Sequence, residues 1–164
     1  MFTPQELSEI KNLLHPNSNV VIITHYNPDG DAIGSSLGLM HFIKNAGVEA
    51  TVIVPNDFPK FLKWMPNAKN IVIADYKRKI AGEAIYNADV IFILDFNHSS
   101  RSGNLLAPWI EKSRAVKILI DHHQQPEMFD FVYSDTSLPA TCQMIYHFIE
   151  ALGKEEWVNQ DVAE

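Results

Sequence analysis

Residues 20–34 read Val20-Val21-Ile22-Ile23-Thr24-His25-Tyr26-Asn27-Pro28-Asp29-Gly30-Asp31-Ala32-Ile33-Gly34. Four β-branched aliphatic residues in succession leave no polar face, the pattern of a parallel strand buried on both sides. The run stops at a polar turn in which Pro28 and Gly30 are turn formers, able to bend the loop so that Asp29 and Asp31 face one point. A helix is expected next, over 32–46, with Ile33, Leu37, Met40 and Ile43 at three- and four-residue steps and Gly47 placed to close it. The small residues Ala32, Gly34, Ser35 and Ser36 at its start leave backbone N–H groups open to an anion such as phosphate. A plainer reading of the same stretch is a βα turn with Asp31 as the N-cap.

Two further aliphatic runs end in the same manner. Val90-Ile91-Phe92-Ile93-Leu94 leads into Asp95, and Ile118-Leu119-Ile120 leads into Asp121-His122-His123. Strands are expected at 19–24, 50–54, 70–74, 89–94 and 116–120, with an edge strand at 129–133. Helical patterns cover 3–15, 105–113 and 141–152, a weaker one covers 76–87, and a helical turn falls near 61–65 in a Pro-rich stretch. Residues 154–164 read as the opening of another helix, with Trp157, Val158 and Val162 as its apolar positions. This alternation predicts an α/β fold: a doubly wound, mainly parallel sheet of about five strands with helices on both faces. Ligands bind such sheets beyond the carboxyl ends of the strands, so the three polar clusters are expected to converge in one crevice.

The chain of 164 residues carries a net charge of −7, which argues against a broad basic face for long nucleic acid. A short nucleotide remains compatible, because bound divalent cations would supply local positive charge. No apolar run reaches membrane-spanning length, and residues 1–6 lack the basic start and apolar core of a signal peptide. The single cysteine, Cys142, allows no internal disulfide and is expected to be inert in an apolar helix; the natural location is the cytoplasm, with no membrane partner. Phe58, Phe61, Trp64 and Met65 are expected to pack inward rather than to stack on a base. His41, His15 and His147 read as structural or exposed helix residues, while His98 lies nearer the strand-end cluster.

Asp95, at a strand end, is placed to bridge two ions. Adjacent histidines point in different directions, so one of His122 and His123 can ligate metal while the other faces substrate, and Asp121 can orient a histidine. Mixed histidine and carboxylate donors suit Mn²⁺, with Mg²⁺ a second candidate. Two such ions about 3.5–4 Å apart are the usual apparatus for displacement at phosphorus.

The stretch from His25 to Ser35, Asp95 and Asp121-His122-His123 resemble the motifs of the DHH phosphoesterases. Within that superfamily they resemble the nanoRNase and phosphoadenosine-phosphate phosphatase branch, often labelled exopolyphosphatase-related, over residues 19–150. The resemblance implies one metal ion on His25, Asp29 and Asp95 and a second on Asp31, Asp95 and His122. It implies His123 beside the substrate phosphate, and Arg101 as a phosphate ligand where composition alone reads a solvated loop charge. Expected substrates are very short RNA oligonucleotides or 3′,5′-bisphosphate nucleotides, with a homodimer allowed. The family carries a further metal-binding aspartate well beyond the DHH motif; Asp135 lies too near His122 to be it. Residues 1–164 are therefore expected to be a DHH domain cut short, without the C-terminal substrate-binding domain. The alternatives are an inorganic pyrophosphatase or polyphosphatase, and a non-catalytic nucleotide-binding remnant.

Overall fold

A computed structural model describes residues 1–154, 156 and 158–163 of the chain. The strands are β1 (Val20–Ile23), β2 (Ala50–Val54), β3 (Val72–Ile73), β4 (Val90–Leu94), β5 (Val116–Asp121) and β6 (Phe131–Ser134). The helices are α1 (Pro4–Leu13), α2 (Gly30–Asn45), α3 (Arg78–Tyr86), α4 (Gly103–Lys112), α5 (Thr141–Ala151) and α6 (Gln160–Ala163). All strand pairs are parallel, in the order β3-β2-β1-β4-β5-β6. The expectation of about five strands becomes six, because the edge segment joins the ladder through the register Ile118↔Phe131 to Asp121↔Ser134.

The aliphatic runs do what their composition requires. Every residue of β1 and β4 is buried, so the two central strands are covered on both sides. Alternation of side chains along them divides the interior in two. Val20, Ile22, Phe92 and Leu94 join Leu37, Met40, Phe148 and Ile149 under α2 and α5. Val21, Ile23, Ile91 and Ile93 join Ala81, Ile85, Leu106 and Ile110 under α3 and α4.

The chain winds outward from β1 to β3, then returns across β1 to begin β4. Between β1 and β4 the connections leave toward opposite faces, α2 on one and α4 on the other, which opens a crevice at the carboxyl edge. No described helix is long and apolar enough to cross a membrane.

Three local expectations change. Helix α2 starts at Gly30, and Asp29 rather than Asp31 is its N-cap, accepting the N–H groups of Asp31 (3.0 Å) and Ala32 (3.1 Å). The turn expected at 61–65 is a tighter 3₁₀ turn, Lys60–Leu62. Phe58 before it and Leu62 within it are anchored inside, whereas Phe61 and, past its end, Trp64 stand 73% and 66% exposed. The inward packing expected of those two aromatic residues is therefore wrong. Trp157 lies outside the described residues, whereas Val158 and Val162 pack against the core as expected.

Phe92 is fully buried and meets Phe148 at a centroid distance of 6.1 Å. Phe92→Ala is expected to cost about 3–5 kcal/mol in urea unfolding, whereas the exposed Tyr86→Ala should stay within about 0.5 kcal/mol of the parent.

Candidate metal centre

His25 stands two residues past the end of β1 and is buried. Its Nδ1 lies 2.8 Å from the Tyr26 carbonyl oxygen, which can only accept, so Nδ1 carries the proton and Nε2 presents a lone pair. That Nε2 is 3.5 Å from Asp95 Oδ2. Asn27, in a left-handed conformation (φ 56°), turns the loop, and its N–H and side-chain oxygen bond the Asn56 side chain. Asp29 then caps α2 with Oδ1 alone.

Asp95 is the centre of the arrangement. It is 2% exposed and holds a left-handed backbone (φ 66°), a conformation that costs about 1–3 kcal/mol for a non-glycine residue. Its Oδ1 accepts the Thr141 hydroxyl at 2.9 Å and lies 3.5 Å from His122 Nε2. Asp31 stands 3.8 Å from the same His122 nitrogen. Both Asp31 oxygens are engaged at the start of α5, by the N–H groups of Thr141 (2.7 Å) and Cys142 (2.8 Å). Asp31 thus caps a helix more than a hundred residues away, where the local cap position is Ala140 and offers no side-chain acceptor.

The Asp121-His122-His123 triplet divides its work. Asp121 is fully buried and receives the His123 N–H (3.1 Å) and His123 Nδ1 (2.6 Å). His122 turns the other way, with Nδ1 3.3 Å from the Leu138 carbonyl oxygen. Each of the three histidines is therefore held through Nδ1, leaving Nε2 as a donor atom, the usual orientation of a metal-ligating imidazole. The loop carrying them is clasped to the segment after β4. Asn97 Nδ2 donates to the Gln124 carbonyl (2.7 Å), the Glu127 N–H to the Asn97 carbonyl (2.6 Å), and the Ser99 N–H to Glu127 Oε2 (2.7 Å).

Among the described residues, two trios of potential ligand atoms each lie within 4.8 Å of one another: His25, Asp29 and Asp95, and Asp95, His122 and His123. Asp95 belongs to both. The first set is the trio expected from sequence; the second has His123 where Asp31 is expected, because Asp31 is turned toward α5. Arg101 is exposed, and its carbonyl accepts the Tyr26 N–H (2.7 Å), tying the loops after β1 and β4 together. His98 caps the short 3₁₀ turn Ser99–Ser102, and Asp135 spends Oδ1 on the Ser137 N–H and hydroxyl. Thr141 and the opening of α5 carry no local motif; only the folded chain brings them to Asp31 and Asp95.

A crowd of carboxylates at a strand edge has electrostatic consequences. Burial, reinforced by the Asp31 charge, raises the Asp95 pKa against the hydrogen bonds from His25 and Thr141. Burial opposes charge on His25, but the bonds to Asp95 and the Tyr26 carbonyl and the charges of Asp95 and Asp29 outweigh it, and its pKa is raised. Cys142 is exposed as a residue, but its sulfur packs against Gly34, and this local desolvation together with Asp31 raises the thiol pKa well above its ordinary range, so it stays protonated.

A parallel sheet with His and Asp side chains gathered at its carboxyl edge defines an α/β domain with potential metal-ligating atoms there. More particularly, residues 19–164 match the family described as the DHH family, N-terminal domain, and the chain belongs to that family. It is 34% identical over 137 residues to the bifunctional oligoribonuclease and PAP phosphatase NrnA of Thermus thermophilus, covering 83% of this chain and 38% of that protein. An exopolyphosphatase-related protein from Bacteroides fragilis is 36% identical with a TM-score of 0.93, covering 98% of this chain and 47% of that one. The exonuclease RecJ bound to manganese shares the fold at 13% identity, with a TM-score of 0.55 over 95% of this chain and 38% of its own. The chain thus spans less than half the length of each.

Both raised pKa values mean that folding takes up protons. The contribution of His25 is complete below its ordinary value of 6.5 and is lost as pH rises through its raised folded value. Asp95 acts in the same direction from its ordinary 3.8 upward. The metal-free protein should therefore lose thermal stability in EDTA melts as pH rises above about 6.5. In Asp95→Asn the decline should flatten, and NMR should find His25 titrating lower than in the parent, since the bond and charge of Asp95 are gone while burial remains.

Proposed function

We propose that this chain is the metal-binding domain of a phosphohydrolase acting on short RNA oligonucleotides or 3′,5′-bisphosphate nucleotides. The carrying observation is one buried carboxylate, Asp95, shared by two sets of donor atoms. The donor chemistry fits a pair of hard or borderline divalent cations: His25, Asp29 and Asp95 would hold one, and His122 and Asp95 the other, with Asp31 at its edge. Mn²⁺ is the preferred ion and Mg²⁺ the second. When bound, such a pair lowers the pKa of water and polarises phosphoryl oxygens.

The residues of the chain supply the remainder. His123 Nε2 is free to donate a proton to the leaving oxygen, because Asp121 fixes Nδ1 as the protonated nitrogen and stabilises the imidazolium. Arg101, exposed beside the Tyr26 loop, offers a guanidinium fork to a phosphate. The names of the relatives support the substrate class, an oligoribonuclease and bisphosphate-nucleotide phosphatase in one case and an exopolyphosphatase-related protein in the other. The second name keeps polyphosphate as the competing substrate. The net charge of −7 favours short, cation-neutralised substrates over long nucleic acid.

In the full-length protein with Mn²⁺, a diribonucleotide and a 3′,5′-bisphosphate nucleotide should be hydrolysed faster than pyrophosphate or tripolyphosphate; the reverse order would give the site to inorganic substrates. Asp95→Ala should reduce turnover to the metal-free background and remove anomalous Mn²⁺ density from soaked crystals. Asp121→Asn should lower activity about 10- to 100-fold, the usual cost of losing a group that orients an imidazole beside a metal.

A further inference from the structure

We propose that the 3₁₀ turn after β2 is a nucleobase platform, on which Phe61 and Trp64 stack the bases of a short single strand whose phosphodiester lies at the metal centre. The inference rests on the hydrolase reading above and names how that site holds its substrate.

Phe61 lies in the 3₁₀ turn Lys60–Leu62 and Trp64 two residues past its end, and both stand mostly in solvent. Their neighbours in the segment do the opposite. Phe58 and Leu62 are each 5% exposed and bolt the segment to the core. Two aromatic side chains of this size are held outward by a segment that is itself firmly anchored.

The anchor joins their segment to the loop that carries the proposed ligands. Leu62 Cδ2 lies 3.9 Å from where a Cβ on Gly30 would be, and Gly30 sits between Asp29 and Asp31. Asn56 and Asn27 exchange two hydrogen bonds, at 2.7 and 2.8 Å, fastening the same segment to the loop that follows His25. The platform and the proposed ligands therefore belong to one rigid edge.

Charge complements the aromatics. In an acidic chain, residues 55–74 carry Lys60, Lys63 and Lys69 against the single acid Asp57. Asp57 is neutralised by Lys63 at 2.9 Å, which leaves the exposed Lys60, adjacent to Phe61, to meet a phosphate. Aromatic faces interleaved with cations are the common means of binding single strands without reading sequence.

The test uses the full-length protein with Mn²⁺ and three substitutions: Trp64→Ala, Phe61→Ala and Trp64→Phe. The substrates are a diribonucleotide and its abasic analogue. Loss of one stacked base should raise KM for the diribonucleotide about 5- to 100-fold with kcat within about twofold, and Trp64→Phe should restore most of it. The abasic analogue has nothing to stack, so its KM should separate the substrates by moving less than about twofold. Equal changes on both substrates, or no change on the diribonucleotide, would overturn the platform. So would a loss of subunit association with KM unmoved, which would give the aromatic face to a protein contact. Should wild type hydrolyse neither substrate, the hydrolase reading fails separately. Quenching of a 2-aminopurine dinucleotide by the metal-free protein, lost in Trp64→Ala, would still support the platform, and absence of quenching would sink it.

Discussion

A buried carboxylate with donors on both sides is the constraint around which the rest is arranged. Asp95 is almost wholly removed from solvent, in a backbone conformation that non-glycine residues rarely adopt, and faces His25 through one oxygen and His122 through the other. An isolated charge in that position would be expelled or protonated. It persists because the sheet leaves it no alternative: β4 is covered on both faces, and the Asp95 N–H is spent on the Ile120 carbonyl at 3.3 Å. Burial and the neighbouring Asp31 charge disfavour the ionised form of Asp95 and raise its pKa, while His25, beside it, is favoured as a cation. Strain and desolvation at one residue are the mark of a site shaped for a partner rather than for stability.

Helix α5 is the second support. Its first turn places one hydroxyl on Asp95 and two N–H groups on Asp31, so the positive end of a helix dipole addresses the carboxylates directly. The arrangement is reciprocal. Asp31 satisfies the orphan donors of a helix whose cap residue, Ala140, contributes none. Stability of α5 and geometry of the metal centre are consequently one interaction seen from two ends. That coupling explains why Asp31, in the first turn of α2, leaves capping of its own helix to Asp29.

Much of this was legible in the chain because it depends on short-range rules. Four or five aliphatic residues followed at once by a polar turn specify a buried parallel strand, and its carboxyl end specifies where the turn lies. That logic reaches His25, Asp29, Asp95, His122 and His123 without any structure. It does not reach Thr141, whose role depends on a contact with Asp95 forty-six positions earlier. Nor does it reach Phe61 and Trp64, because helical spacing predicts one buried face, whereas the regular turn ends at Leu62 and leaves both rings outside. The edge strand β6 was only half legible for a related reason. Residues 122–130 return along β5 without a helix, and hydrogen bonds to Asn97 and Ser99 hold that loop instead of a periodic pattern.

The same division would let an acidic chain hold the proposed anionic substrate. Negative charge is concentrated at the carboxyl edge of β1, β4 and β5, where divalent cations would invert its sign locally. The lysines of the turn after β2 lie beyond that cluster, across the contact between Leu62 and Gly30. A short strand spanning the two would meet positive charge at both ends of its reach, whereas a long one would run on over an acidic surface. Substrate length would then be limited by electrostatics as well as by the size of the crevice, and the net charge, which argues against extended nucleic acid, would become part of the specificity.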